Sequence, residues 1–171
     1  MTRSITNYSG YFRGGNILAT RDEAIQAIKD YPIIDKKIHD RREEILVPYN
    51  PFEDENIDGG RAQNVRNESL EHSVEQLEMD PVLKYLYAEE KAVATVLSQC
   101  IEKQVRSLLD KATYDIIYEF YLRETQIYNA EGIGKKVHLS RGRVYARKDA
   151  FIAEVQKELT KRDIRETNTL K

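Results

Sequence analysis

Tryptophan is absent from the chain, and glycine and proline are scarce, at eight and four in 171 residues. A turn-rich β-sandwich or barrel draws on many more turn residues, so neither is expected. The single cysteine, Cys100, excludes an internal disulfide and fits a cytoplasmic setting. It follows Val96 and Leu97 on a helical period, as a packed thiol does and a nucleophile need not. No apolar run approaches the ~20 residues of a membrane span, so no membrane partner is expected. Residues 1–15 lack the apolar core of a secretory signal.

Chemistry-bearing patterns are missing as well. His39, His72 and His138 lie far apart, and none has a second ligand at metal-binding spacing. Gly132-Ile133-Gly134 continues into Lys135, Lys136 and Val137, without the third glycine of a phosphate-cradling loop. Ser140 has no base beside it in sequence. The carboxylates are interleaved with lysines and arginines, as on solvated helical surfaces. No catalytic residue, metal or cofactor is therefore expected, and the chain does not read as an enzyme. One calcium-like run, Asp54, Asn56, Asp58 and Gly59, matches the start of an EF-hand loop, but the twelfth position is Val65 rather than glutamate. An acidic linker explains that run better.

What is present is helical. Hydrophobic residues make up 40% and charged residues 33%, which predicts an all-α protein with a thin core. Residues 1–19 are polar and glycine-bearing, a flexible N-terminus. Thr20 reads as a helix cap with Asp22 and Glu23 in the first turn. Ile25, Ile28, Ile34, Ile38, Ile45 and Leu46 then mark an apolar stripe over a helical arm, 20–47, interrupted at Pro32. That stripe needs a cover, either the rest of the chain or another protein. Pro48, Pro51, Gly59, Gly60 and clustered acids place a flexible linker over 48–69. A helical domain follows over 70–160, and 161–171 reads as a tail. Within it, a short helix stops at Asp80, and Asp80-Pro81 starts the next one. Val82, Leu86, Val93, Val96, Leu97, Ile101, Val105 and Leu108 predict one helix over 81–108, suited to be a spine or to pair with a copy of itself in a homo-oligomer. Another helix is expected over 113–124, burying Ile116, Ile117, Phe120 and Tyr121.

Charge is uneven. Residues 1–100 carry 12 Lys and Arg against 18 Asp and Glu, whereas residues 101–171 carry 15 against 11. Residues 132–148 hold Lys135, Lys136, Arg141, Arg143, Arg147 and Lys148 with no acid. Such a stretch attracts phosphate backbones, but a solvated helical face can look the same. The surrounding pattern narrows the choice. A short helix over 128–137, a turn at His138-Leu139-Ser140 and a long helix from Arg141 form a helix-turn-helix over about 128–159. Ile133 and Val137 pack inward, Leu139 plugs the turn, and Ser140 offers a hydroxyl to the next helix. With Val144, Phe151, Ile152, Val155 and Leu159 buried, Arg141, Gly142 and Tyr145 face outward, flanked by Arg143 and Lys148. That is where a recognition helix meets base edges in a major groove. An arginine there reads guanine through paired hydrogen bonds, Tyr145 can meet a thymine methyl or a phosphate, and Lys135 and Lys136 suit the backbone. The expected DNA-binding set is Lys135, Lys136, Ser140, Arg141, Gly142, Arg143, Tyr145, Arg147 and Lys148.

Residues 131–145, EGIGKKVHLSRGRVY, resemble the promoter-reading helix-turn-helix of bacterial sigma factors, region 4. Over about residues 20–160 the chain more closely resembles the RinA-type activators of late genes in phages of Gram-positive bacteria. The match rests on Asp30-Tyr31-Pro32, on Arg42-Glu43-Glu44-Ile45-Leu46 with Pro48, on the linker, the long helix and the terminal helix-turn-helix. The resemblance implies an all-α regulator with a sigma-like helix-turn-helix that binds promoter DNA beside host RNA polymerase, in the bacterial cytoplasm, and switches on packaging and structural genes. Gly142 and Ala146 stand where sigma factors often carry charge, so the target sequence stays open. Two other readings use the same pattern: a phage packaging subunit of the small-terminase kind, and a helical assembly or adaptor protein.

Overall fold

Thr20 opens the first helix with a full capping box: its side chain accepts from the Glu23 N–H, and the Glu23 carboxylate accepts from the Thr20 N–H at 2.6 Å. The computed structural model describes residues 18–47, 68–102 and 108–169, and the side chains of these outside 68–71 and 162–169. Residues 48–67 of the expected acidic linker, with the Asp54–Asp58–Gly59 run, Val105 and the glycine-bearing N-terminal residues 1–17, lie outside the described residues, whereas Glu68 and Ser69, expected at the end of that linker, are already helical.

Helix α1 (Arg21–Asp30) passes through a 3₁₀ turn at Tyr31–Ile33, where Pro32 occupies a first-turn position, into α2 (Ile34–Leu46). Pro32 therefore redirects the arm without ending it, since a first-turn position needs no N–H. Then come α3 (Glu68–Met79) and α4 (Pro81–Ile101), with Asp80 capping α4 through the Leu83 N–H at 2.8 Å. Helix α5 (Lys111–Ile117) winds on as a π-helical turn, Tyr118–Leu122; α6 (Ala130–Lys136) and α7 (Arg141–Thr169) complete the fold. No strand occurs among the described residues, so the chain is all-α as its composition predicts. None of the helices there is long and apolar enough to cross a membrane.

The core has one main body and two satellites. Ala24, Ala27 and Ile28 of α1, Val93, Val96 and Cys100 of α4, Ile117, and Phe151, Ile152 and Val155 of α7 form the main body. Ile34 and Ile38 of α2 meet Leu83 and Leu86 of α4 in a second cluster. Most of the stripe on the N-terminal arm is thus covered by the chain's own helices, with Ile28, Ile34 and Ile38 buried and Ile25 and Ile45 packed against the same clusters; Leu46, at its end, is 47% exposed. Ala19 is tied to α7 as well: its N–H donates to Thr160 Oγ1 at 3.1 Å, and Gln156 Nε2 donates to its carbonyl at 2.7 Å. Cys100 is buried and its thiol is pushed up to about 11, mainly by burial. It is a packed side chain, with no thiolate character near neutral pH.

Several boundaries differ from the periodic reading. Helix α4 ends at Ile101, which is 61% exposed, and Leu108 is exposed outside any helix. The chain must leave helical geometry there, because Asp110 adopts extended backbone (φ −137°) to cap α5 through the Thr113 N–H. Helix α5 accordingly begins at Lys111, earlier than expected, and gives way to the π turn before Glu124. Helix α7 runs past the expected boundary to Thr169, as no glycine or proline interrupts it.

Glu89 corrects the view that every acid sits on a solvated face. It lies in the buried stripe of α4 between Leu86 and Val93 and is itself buried. Burial raises its carboxyl to about 7; the Tyr85 hydrogen bond lowers it, Asp30 and Glu23 add repulsion, and Lys37 offsets them. Between the ordinary 4.5 and about 7 the folded chain holds a proton that the unfolded chain has released. Stability should therefore fall as pH rises through that window and level off above it, by on the order of 3 kcal/mol. Glu89→Gln should flatten this slope and exceed the parent in stability at pH 8, checked by urea denaturation from pH 4 to 8. An unchanged slope in the variant would assign the effect elsewhere.

Candidate nucleic-acid interface

The helix-turn-helix stands on the third cluster: Ile116 of α5, Ile133 of α6 and Val144 of α7 are buried, with Phe120, Val137 and Leu139 packed around them. Asn129 caps α6 through the Gly132 N–H at 2.8 Å. The turn has a definite construction. His138 is left-handed at φ 56°, the Val137 N–H donates to Ile133, and the Leu139 N–H reaches back to Gly134 at 2.8 Å. This is a Schellman ending, in which one left-handed residue lets the next N–H satisfy an orphan carbonyl of the helix. His138 thus serves the turn through its backbone. Leu139 plugs the cluster, as its place in the sequence predicts.

Gly134 is required by the same geometry. A Cβ there would meet the Leu139 carbonyl oxygen at 2.6 Å, while one at Gly142 would meet nothing within 4 Å. Ser140 does not cap α7 with its hydroxyl, which makes no hydrogen bond among the described residues; its carbonyl accepts from the Val144 N–H at 3.0 Å. The backbone alone starts α7.

The nine expected contact residues divide into three groups. Arg141, Gly142, Arg143 and Tyr145 are exposed at the start of α7, with Ser140 exposed before it and Lys148 half-buried one turn beyond Tyr145. Arg141, Tyr145 and Lys148 follow i, i+4, i+7 spacing. The Arg141 guanidinium lies 5.7 Å from the Tyr145 ring centre, and the Lys148 ammonium 4.9 Å from that ring and 5.4 Å from Phe120. Each such contact contributes ~0.5–1 kcal/mol at an exposed site, enough to favour one arrangement of the cations without removing them from water. Among the described residues none of Arg141, Arg143 and Lys148 pairs with a carboxylate. Lys135 is 79% exposed and only loosely paired with Glu131 at 3.5 Å.

The third group is structural. Arg147 turns inward at 18% exposure, pairing with Asp110 and donating to Thr113 Oγ1 at 3.1 Å. It clamps α7 to the cap of α5. Burial opposes the Asp110 charge, but the Arg147 and Thr113 hydrogen bonds outweigh it and hold the carboxyl below its ordinary range. Lys136 reaches Glu119 at 2.5 Å, and Arg123 joins the same carboxylate at 2.9 Å. Glu119 is 1% exposed, and hydrogen bonds first from Lys136 and then from Arg123 overcome its desolvation to lower its pKa. Arg147 and Lys136 thus hold the motif together rather than presenting free charge.

Sequence reasoning missed Glu119, Asp110 and Arg123, and noted Ala146 without placing it in the contact set. Ala146 is exposed one turn after Gly142, making a bare strip beside Tyr145; its i+4 spacing was the available signal. A family model described as "Protein of unknown function (DUF722)" matches residues 21–157, most of the chain. No curated protein and no solved structure matches it.

Proposed function

We propose that this chain, which belongs to the DUF722 family, is a sequence-specific DNA-binding regulator of transcription. The observation that carries the reading is the start of α7, where Arg141, Gly142, Arg143 and Tyr145 are exposed on a helix anchored by buried Val144. Cations without carboxylate partners favour a phosphate-lined groove, and the helix start is where a recognition helix reads bases. Arg141 and Tyr145 read the major groove. Lys135 and Lys148 contact phosphates, and the bare strip at Gly142 and Ala146 lets the backbone come close.

The resemblance to RinA-type activators extends the proposal to phage late promoters, with host RNA polymerase as partner in the bacterial cytoplasm. Selection of bound sequences from random DNA at physiological salt, with the chain's mass in solution measured alongside, tests the proposal. A single recovered site and promoter-dependent stimulation of polymerase support an activator. Rings of many copies would favour a packaging subunit, and binding without salt dependence or sequence preference would defeat the regulator reading. Arg141→Ala should weaken specific binding by about tenfold or more while leaving non-specific binding nearly intact. Lys135→Ala should weaken both alike. Equal losses in the two variants would remove Arg141 from base reading.

A further inference from the structure

Asp149 is the first acid after Glu131 in the sequence, and it stands on the recognition helix itself. Counting along α7, it follows Gly142 by seven residues, Tyr145 by four and Ala146 by three, so it shares their side of the helix one turn farther on. A bare carboxylate there would face the same phosphates that the start of α7 is proposed to approach. It is not bare. Arg21, from the other end of the chain, donates from Nη2 to Asp149 Oδ1 at 2.7 Å, with the two side chains 51% and 48% exposed.

Local rules do not explain Arg21. It is the first residue of α1, immediately after the Thr20 cap, where the helix dipole favours anions and disfavours a cation. Asp22 and Glu23 follow that preference and Arg21 breaks it. What Arg21 gains beyond its own helix is an ion partner, and among the described residues that partner is Asp149. Tyr121 lies beside the pair: its phenol is raised first by burial, with Arg21 pulling it down and Asp149 pushing it up. The pair therefore caps the junction of α1, the π turn and α7, at the edge of the exposed cationic surface. The residues before it continue the same sign, since positions 1–21 hold Arg3, Arg13 and Arg21 and no acid.

We infer that Arg21 masks the Asp149 carboxylate, so that the N-terminal helix completes the DNA-facing surface of α7 by neutralising the acid nearest the start of that helix. The inference rests on the DNA-binding reading. Arg21 is a positioning residue: it acts through Asp149 and need not touch a phosphate.

The test is a double-mutant cycle on the full chain, read by fluorescence anisotropy with a labelled duplex recovered by selection with the parent chain. Arg21→Ala should weaken binding about fivefold at low salt, a loss that shrinks as salt screens the exposed charge. Asp149→Asn should bind at least as tightly as the parent. In the Asp149→Asn background, Arg21→Ala should have no further effect. Thermal melting should be nearly unchanged in all three variants, because both side chains are half-exposed and surface pairs contribute little. An equal loss in both backgrounds would make Arg21 a direct phosphate contact and overturn the masking role, as would no loss in either. If the parent chain retains no duplex at all, the DNA-binding reading itself has failed, and this inference with it.

Discussion

Glu119→Ala should be among the most damaging single substitutions outside the apolar core. The carboxylate is buried and accepts from Lys136 and Arg123, tying α6 to the π turn across 17 residues of sequence. Removing one partner of a buried ion cluster commonly costs ~3–5 kcal/mol, since the remaining charges lose their counterpart. Here the two cations are 52% and 33% exposed and can turn to water, so a loss of about 3 kcal/mol is expected. Urea denaturation of parent and variant measures it. In a Lys136→Ala background the same substitution should cost less, because the two changes share one hydrogen bond. The pH dependence has a definite sign. The Glu119 carboxyl is lowered in the folded chain, so its contribution is present above the ordinary glutamate range and is lost as pH falls through the lower folded value. A shift below about 0.5 kcal/mol for Glu119→Ala, within the range of an ordinary surface change, would show that the cluster does not hold α6 in place.

The second large effect separates two glycines that helix propensity treats alike. Alanine in place of glycine inside a helix is ordinarily favourable by up to ~1 kcal/mol. At Gly134 the new methyl would stand 2.6 Å from the Leu139 carbonyl oxygen. That oxygen belongs to backbone held by the Schellman turn, so the turn itself must move. Gly134→Ala should lose about 2–3 kcal/mol and most of its DNA affinity, because the start of α7 hangs from that turn. Gly142→Ala, with open space around the new methyl, should keep or slightly gain stability. Its effect on binding is then informative: a methyl at 142 should weaken the complex if DNA comes close to this side of α7. Melting and binding measured on the same two proteins check both statements, and a stabilised Gly134→Ala would refute the geometry given for the turn.

Much of the fold was legible because it rests on local rules. Thr20 with Glu23, and Asp80 with Pro81, are caps whose partners lie within three or four residues, and both appear as the sequence predicts. The apolar stripe of α7 through Val144, Phe151, Ile152, Val155 and Leu159 is likewise buried throughout. Where the reading missed, a competing local signal had hidden the answer. The spacing of Ile101, Val105 and Leu108 mimicked a longer α4, while Asp110 needed extended backbone to start α5. The gap between Leu86 and Val93 marked Glu89, but a charged residue in a charged sequence is first assigned to the surface. Glu119 was hidden for the same reason. The left-handed His138 had no signal, since glycine is the residue that announces such a position.

The same division holds for the candidate interface. Sequence alone determined that a cationic helix start follows a short helix and a tight turn, because periodicity, capping and charge act over neighbouring residues. It could not tell free cations from committed ones. Arg147 finds Asp110 at a separation of 37 residues, Lys136 finds Glu119 at 17, and Arg21 finds Asp149 at 128. Only the tertiary structure brings those partners together, and so only it decides that Arg141, Arg143 and Lys148 keep their charge available while Arg147 and Lys136 brace the motif.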